Sequence, residues 1–360
     1  MNNQTSELIS ALRLLLIMGL VLVHFGSFPN STLDPFQGVV NPEHFISASI
    51  NSFFLYFFLS AVPVLSIISG YLYSHRGKPD YLVAFKKRIL TVILPSITWT
   101  SIWLLFAFAL YSIGKSSNQF TYYDAGFSDF SILNLFNGII GITESPFALQ
   151  FWFIHDLVLS ILLTPLLYPI IKKAPVFLIA LFILWAAEWE VPVFFNLKVL
   201  TFFSVGLYLG QRNWQPGDLN IFNNISILAF IALILGRIYV PYANDGVMPY
   251  ETVYELILRS IGTVAVFSLV LHLRNKVPSV FNWLANNSGY AFFIFAAHFP
   301  LIILFKQVLS MTNLFNSGAG EIALWAIAPT ITISFIIISA YLLNKILPGL
   351  YKFLNGQRSI

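Results

Sequence analysis

The chain has 360 residues, of which 58% are hydrophobic and only 9% are charged, with a mean hydropathy of +0.79. This composition excludes an ordinary soluble domain, in which about a quarter of residues are charged, and predicts an all-α polytopic membrane protein. The formal net charge of +4 does not indicate nucleic-acid binding, because the basic residues stand between apolar segments, as in oriented membrane proteins. The absence of cysteine excludes disulfides and a cysteine-acyl intermediate.

Ten apolar runs predict a bundle of about ten transmembrane helices, forming a single domain over residues 1–360. A helix needs about 20 residues to cross roughly 30 Å of hydrocarbon, and the fifth and sixth runs are short. The N-terminus lacks the basic residues of a signal peptide, so we expect the first run to remain as a span. The predicted spans are 8–28, 46–73, 91–112, 150–171, 175–191, 197–211, 219–240, 253–273, 283–309 and 321–346.

The distribution of lysine and arginine predicts the orientation. With the N-terminus inside, most of the 19 Lys and Arg residues fall on cytoplasmic flanks, as the positive-inside rule requires. Both termini are therefore expected in the cytoplasm. The longest outer loop, residues 113–149, is expected to cover a site or to recognise a polar ligand. The basic residues left on the outer side are Lys115, Lys198, Arg237, Arg259 and Lys306.

The first apolar run carries two residues that are costly in a bilayer, Arg13 and His24. Eleven residues of helix place them about 16 Å apart along the axis and within about 20° of one face. Arg13 is interpreted either as an anchor that extends to the cytoplasmic surface or as a ligand-binding cation. His24 is interpreted either as an interior imidazole bonded to a neighbouring helix or as a functional group.

Two further histidines are predicted at a depth similar to that of His24. His298 lies in one late span, and His155, followed by Asp156, enters another span from outside. Pro300 removes a helix hydrogen bond and frees the carbonyl of Ala296 near His298. This predicts a local break in the helix that could serve a functional cavity. The alternative is an ordinary kink of a membrane helix. A metal site is not expected, because no histidine has an i, i+4 partner and Asp156 is expected on a different helical face from His155.

Five segments together resemble a known family. The first pairs an Arg with a His, the second contains the Ser-Gly pair Ser69 and Gly70, and the third is a basic stretch running into Pro95. The fourth begins with a Trp-Phe helix, and the last joins Tyr290 to His298 and Pro300. The family is the membrane-bound acyltransferase-3 proteins, which O-acylate bacterial surface glycans and related acceptors. The segments read LRLLLIMGLVLVHF, FFLSAVPVLSIISGYLYS, FKKRILTVILPSITW, FWFIHDLVLSILLTPLLYPII and NSGYAFFIFAAHFPLI.

The resemblance implies a multi-pass enzyme of the bacterial inner membrane. It would transfer an acyl group, which we expect to be acetyl, from cytoplasmic acyl-CoA to a hydroxyl of a surface polysaccharide or lipid-linked sugar. His24 would be the general base or a transient acyl carrier, and His298 would orient the acceptor or stabilise charge. The CoA phosphates would be held by Arg13, Lys86, Lys87 and Arg88. Substrate or oxyanion support is expected from Ser69, His155 and Asp156.

The sequence departs from the family at two positions. Relatives often have Arg where this chain has His155, and a second Arg where it has Thr91. The resemblance therefore does not predict which residues contact the phosphate or the substrate at these two positions. Many relatives also carry a hydrolase-like domain, so we expect this protein to act alone or with separate glycan-assembly partner proteins. Ser69 is interpreted alternatively as a packing residue. The basic segment around Arg88 is interpreted alternatively as a site for anionic lipids. For the whole protein, the alternative function is that of a secondary transporter or flippase.

Overall fold

The structure, a computed structural model, describes residues 3–28, 35–37, 45–75, 81–112, 131–141, 143, 145–189, 195–215, 223–244, 246–315 and 317–358. The regular elements in these ranges are helices, without a β-strand. They are α1 (Asn3–Val23), α2 (Phe45–Phe58), α3 (Ala61–Ser74), α4 (Tyr81–Arg88), a π-helix (Ile89–Ile93), α5 (Leu94–Ser112), α6 (Ile132–Ile140), α7 (Trp152–Leu162), α8 (Thr164–Lys173), α9 (Phe177–Ala186), α10 (Leu197–Gln211), α11 (Asn223–Ala243), α12 (Glu251–Lys276), α13 (Pro278–Asn286), α14 (Ala291–Ser310), α15 (Gly318–Ile346) and α16 (Pro348–Leu354).

The helix lengths confirm the predicted class. Within the described ranges, seven helical stretches are long and apolar enough to cross a membrane, and an eighth is added if α7 and α8 form one bent span. The protein is an all-α, multi-pass membrane protein. The predicted count of ten is not reached because α9 and α10 have only 10 and 15 residues, about 15 and 22 Å at the helical rise, short of roughly 30 Å of hydrocarbon.

Several predicted spans are interrupted in the structure. The predicted helix 150–171 breaks into α7 and α8, whose axes differ by 66°, and a proline at the start of α8 contributes no backbone N–H to the preceding turn. The predicted helix 46–73 is divided between α2 and α3, and 283–309 is divided by a short 3-10 turn at Ser288–Tyr290. Hydropathy alone does not reveal these breaks, since the chain remains apolar across them.

The predicted outer loop 113–149 is partly helical. Its residues 113–130 lie outside the described residues, as do Arg76 and Lys78 on the opposite predicted flank. The later part forms α6, whose N-cap Ser131 accepts a hydrogen bond from the Asn134 N–H at 3.0 Å. Serine is a favoured N-cap because its hydroxyl satisfies an otherwise unpaired helix donor. The helix ends at Gly141, which has φ 79.

The described residues divide into two compact units. The first comprises Met1–Leu65, Trp214–Ala291 and Leu304–Phe335. In it α1 packs against α2, α12 and α13, and α11 packs along α12. The buried side of α1 is almost entirely aliphatic, with Leu12, Leu16 and Val21 fully buried, so this helix is held on several sides by protein.

The second unit comprises Ser66–Asn213, Phe292–Ile303 and Ile336–Ile360. There α10 packs against α7, α8 and α9, and its backbone comes very close to α3. A Cβ atom on Gly206 would lie 2.2 Å from the Ile67 carbonyl oxygen, and one on Gly70 would lie 2.1 Å from that of Phe203. Small residues allow such close contact between membrane helices, so Gly70 serves close packing of α3 against α10.

Candidate active site

The first unit contains Arg13 and His24. Both side chains are half-buried, and α1 is uninterrupted between them. The helix ends at Val23, not at residue 28 as predicted, yet the His24 N–H still donates to the Leu20 carbonyl at 3.0 Å. The helical hydrogen-bond pattern therefore reaches His24, and the axial separation of about 16 Å follows from eleven residues of helix.

The turn directly after His24 is held by side chains from elsewhere in the same unit. The Phe25 N–H donates to the Leu22 carbonyl, and Gly26 has φ 66, which ends the helix. Lys306 of α14 donates to the carbonyls of Phe25 at 2.7 Å and of Ser27 at 3.0 Å. Asn51 of α2 donates to the Gly26 carbonyl at 2.9 Å. Three consecutive carbonyls beside His24 are thus occupied.

His298 of the second unit is fully buried. Its Nδ1 lies 2.8 Å from the Phe295 carbonyl and 3.2 Å from the Ile294 carbonyl on its own helix. A carbonyl can only accept, so Nδ1 carries the proton in the neutral ring and Nε2 presents a lone pair. This tautomer suits a side chain that accepts a hydrogen bond at Nε2.

The Ala296 carbonyl, which Pro300 was predicted to free, receives two side-chain donors. The Nε1 of Trp103 lies 3.1 Å from it and the Nε2 of Gln150 lies 3.0 Å from it. Gln150 stands in a short 3-10 turn at Leu149–Phe151 just before α7, and its side chain is 1% exposed. The predicted local break is absent, because α14 continues through Pro300. The carbonyl that proline leaves without a backbone donor is instead satisfied by two uncharged side chains.

His155 and Asp156 contact each other although they point to different faces of α7. His155 Nδ1 is 3.1 Å from Asp156 Oδ1, because neighbouring side chains about 100° apart on a helix can still meet at their tips. The other carboxylate oxygen of Asp156 accepts from the Asn196 N–H at 3.1 Å. Asp156 is fully buried and links α7 to the start of α10, which accounts for its position by structure alone.

The basic segment begins with Lys86 and Lys87, whose side chains are exposed, followed by half-buried Arg88 at the end of α4. The π-helix Ile89–Ile93 starts at the next residue, and π-helical turns leave a backbone carbonyl without its usual partner. Arg358 from the C-terminal segment reaches the Thr91 carbonyl at 3.4 Å and stacks over the Phe292 ring at 4.6 Å. An arginine distant in sequence thus lies beside the position where relatives often have one.

The predicted residues are distributed over both units. Arg13 and His24 belong to the first, whereas Ser69, which is half-buried on α3, and the remaining predicted site residues belong to the second. The structure brings His155 and Asp156 together and keeps Arg13 and His24 on one helix. The common depth of the three histidines stays a prediction. The sequence did not predict the hydrogen bonds of Asn51, Gln150 and Lys306 to backbone carbonyls. The signal that pointed to these residues was a polar side chain within or beside an apolar run.

These features define the class of protein: an integral membrane protein with an arginine and a histidine on one apolar helix and a second, buried histidine close to a proline within another. A family profile described as an acyltransferase domain matches residues 8–344, and the chain belongs to this acyltransferase-3 family. It is therefore a membrane-bound acyltransferase.

One curated relative is similar over the whole chain. The succinoglycan biosynthesis protein ExoH of Rhizobium meliloti (strain 1021) is 28% identical over 366 residues, which cover 100% of this chain and 94% of that protein. No solved structure matches the chain significantly.

We expect the substitution Asp156→Ala to destabilise the protein, because it leaves the half-buried Asn196 N–H and the His155 Nδ1 without the carboxylate that accepts from them. A buried donor left unpaired costs about 1–3 kcal/mol. The thermal unfolding midpoint of the detergent-solubilised protein, followed by circular dichroism, measures this loss. The control is Glu7→Ala, which removes an exposed acid on α1. Equal midpoints for the two variants would contradict the structural role of Asp156.

Proposed function

We propose that the protein transfers an acetyl group from cytoplasmic acyl-CoA to a hydroxyl of a cell-surface polysaccharide or lipid-linked glycan. The observation that carries the proposal is the half-buried His24 at the end of an apolar helix that also bears Arg13, in a chain of the acyltransferase-3 family. The glycan acceptor is supported by the similarity to a succinoglycan biosynthesis protein. The particular glycan succinoglycan belongs to the name of that relative, and the proposal here is a glycan acceptor in general.

The proposed location is the bacterial inner membrane, with both termini in the cytoplasm and residues 1–360 serving as one acyltransferase domain. The support is the positive-inside distribution of lysine and arginine. In this orientation Arg13 lies at the middle of α1, ten residues or about 15 Å along the helix from its cytoplasmic end, and the exposed Lys86 and Lys87 lie on a cytoplasmic flank. Separate glycan-assembly proteins would deliver the acceptor.

Arg13 is the proposed anchor of the CoA phosphates, with Lys86, Lys87 and Arg88 as further cations. A guanidinium is planar and matches phosphate oxygens in a bidentate manner, while lysines act as point charges. The exposure of Lys86 and Lys87 suits contact with a soluble nucleotide. The flexible pantetheine arm of CoA would carry the thioester away from this anchor toward His24.

His24 is the proposed general base. It removes the proton of the sugar hydroxyl while that oxygen attacks the thioester carbonyl; the new C–O bond forms, the C–S bond breaks, and the CoA thiolate leaves and takes up a proton. In the alternative two-step route, the acyl group passes first to the His24 imidazole and then to the sugar. His298 would orient the acceptor through Nε2, and Ser69 and His155 would assist at the thioester or the acceptor. Asp156 would act through His155, since a carboxylate does not stabilise an oxyanion.

We expect His24→Ala to reduce turnover by at least about a hundredfold, the usual contribution of a general base. Transfer of radiolabel from acetyl-CoA to an alkali-de-O-acylated surface polysaccharide of the native host measures it. His272→Ala is the matched control, since His272 is an exposed histidine on α12, and it should leave the rate unchanged. Normal turnover by a folded His24→Ala variant would exclude both the base and the carrier role.

We expect Arg13→Ala to raise the KM for acetyl-CoA about tenfold or more, because a hydrogen bond to a charged group contributes about 1.5–3 kcal/mol. The KM for the polysaccharide should stay within about twofold. Arg274→Ala serves as the control: Arg274 is a half-buried arginine on α12, stacked over Phe281 at 5.9 Å. An Arg13→Ala variant with an unchanged KM for acetyl-CoA would show that Arg13 is only a membrane anchor.

A further inference from the structure

The Gln150 side chain is held in one orientation by a backbone carbonyl. Its amide contacts the Ala296 carbonyl oxygen at 3.0 Å, and because a carbonyl accepts only, the amide nitrogen must face it. The amide oxygen Oε1 therefore faces the opposite way. It is buried and accepts no hydrogen bond from the described residues.

An unused acceptor at this position is unfavourable by itself. A buried polar atom in a native protein has a partner in the large majority of cases, and each exception needs an explanation. Gln150 is 1% exposed, and a leucine would fill similar space without the unpaired oxygen. The Ala296 carbonyl does not require Gln150 either, since Trp103 Nε1 donates to the same atom at 3.1 Å.

The geometry points to Gln150 Oε1 as a substrate-binding acceptor for an N–H or O–H group. Its partner carbonyl belongs to Ala296, two residues before the buried His298, so the amide is fixed at the helix turn that carries this histidine. This inference rests on the proposed function, which supplies two donors of that chemistry. They are the amide N–H groups of the pantetheine arm and the hydroxyl groups of the acceptor sugar.

The pair Gln150→Leu and Trp103→Phe separates substrate binding from support of the carbonyl. Each substitution removes one hydrogen bond to the Ala296 oxygen, but only Gln150→Leu removes the free acceptor. We expect Gln150→Leu to raise one KM by about five- to tenfold, the usual worth of one neutral hydrogen bond, and Trp103→Phe to change it less than twofold. An increase for acetyl-CoA identifies the pantetheine amide, and one for the de-O-acylated polysaccharide identifies a sugar hydroxyl.

Gln150→Glu guards against misfolding of the leucine variant. In a buried site the neutral carboxyl can donate to Ala296 through its hydroxyl and still present an acceptor oxygen, so we expect near-normal KM values. Equal effects of Gln150→Leu and Trp103→Phe, or a normal KM for both substrates in Gln150→Leu, would overturn the inference. If His24→Ala is inactive while Gln150→Leu is normal, this inference fails and the proposed function stands.

A second, independent observation concerns Lys306, a lysine in an apolar helix. Its ammonium donates to the carbonyls of Phe25 and Ser27 and lies 5.1 Å from the Phe25 ring centroid. These carbonyls stand at the C-terminal end of α1, where the helix dipole places negative charge. An intramembrane cation is costly unless it is paired, and here its partners are the residues on either side of Gly26, next to His24.

We infer that Lys306, assisted by Asn51, is a positioning residue for His24. The last i→i−4 hydrogen bond of α1 is made by the His24 N–H, and the carbonyls of the three residues that follow it are held by Lys306 and Asn51. Lys306 ties this turn to α14 and Asn51 ties it to α2, which fixes the backbone from which the His24 side chain projects. The inference rests on the proposed role of His24, since a loosely held base loses catalysis rather than substrate affinity.

Lys306→Met, Lys306→Arg and the control Lys198→Met test this inference. Lys198 is a half-buried lysine that also stacks on an aromatic ring, Trp185, at 5.8 Å. We expect Lys306→Met to lower kcat about tenfold to a hundredfold with both KM values within about twofold. Lys306→Arg should recover most of the kcat by donating to the same carbonyls, and Lys198→Met should be normal.

Two further variants keep the result interpretable. If Lys306→Met does not fold, Asn51→Leu removes the hydrogen bond to Gly26 and should lower kcat in the same way. In the double variant His24→Ala/Lys306→Met, kcat should equal that of His24→Ala alone. A normal kcat in folded Lys306→Met beside an inactive His24→Ala would overturn the positioning role only, whereas an active His24→Ala would overturn the proposed function itself.

Discussion

Backbone carbonyls at helix ends and helix breaks must find a donor inside the protein, because hydrocarbon supplies none. In both units this requirement is met by side chains that are distant in sequence. The carbonyls after His24 and the Ala296 carbonyl before Pro300 are two examples. In a third, the Leu59 carbonyl between α2 and α3 accepts a hydrogen bond from Arg259 at 3.1 Å. The Thr91 carbonyl of the π-helix receives Arg358. Polar residues that appear isolated in apolar sequence are thus the groups that make irregular backbone possible.

This constraint bears on the proposed general base His24, which lies where the regular structure of α1 ends. A histidine in the middle of a packed helix is surrounded by its own turns, whereas one at a helix end can project from a backbone that other elements hold. His24 follows the last residue of α1, whereas His298 lies inside α14, two residues after the carbonyl that Pro300 leaves without its helical donor. At both places side-chain donors hold the backbone close to the histidine by hydrogen bonds, so the imidazole itself is not needed for that purpose.

The sequence was sufficient for the features that depend on composition and on local chemistry. It predicted the helical class, most of the spans and the freed Ala296 carbonyl, since proline always lacks the N–H that would pair with it. It did not predict which side chain fills that carbonyl. Gln150 and Lys306 act over 146 and 281 positions of sequence, and such pairings depend on packing. Likewise, the Asp156–His155 contact depends on side-chain rotamers that helical periodicity does not describe.

The spacing of Arg13 and His24 also has a physical meaning that their identities alone do not carry. Because α1 is unbroken between them, the helix sets both their separation and their relative direction. One residue more or fewer would move His24 by only about 1.5 Å along the axis but would turn it by about 100°. The helix ends directly after His24, at Gly26. The hydrogen bonds from Lys306 and Asn51 fix the backbone of this helix end, and with it the direction of the His24 side chain. A continuous helix with a fixed end therefore sets the separation and the relative direction of the proposed CoA-phosphate anchor and the proposed general base.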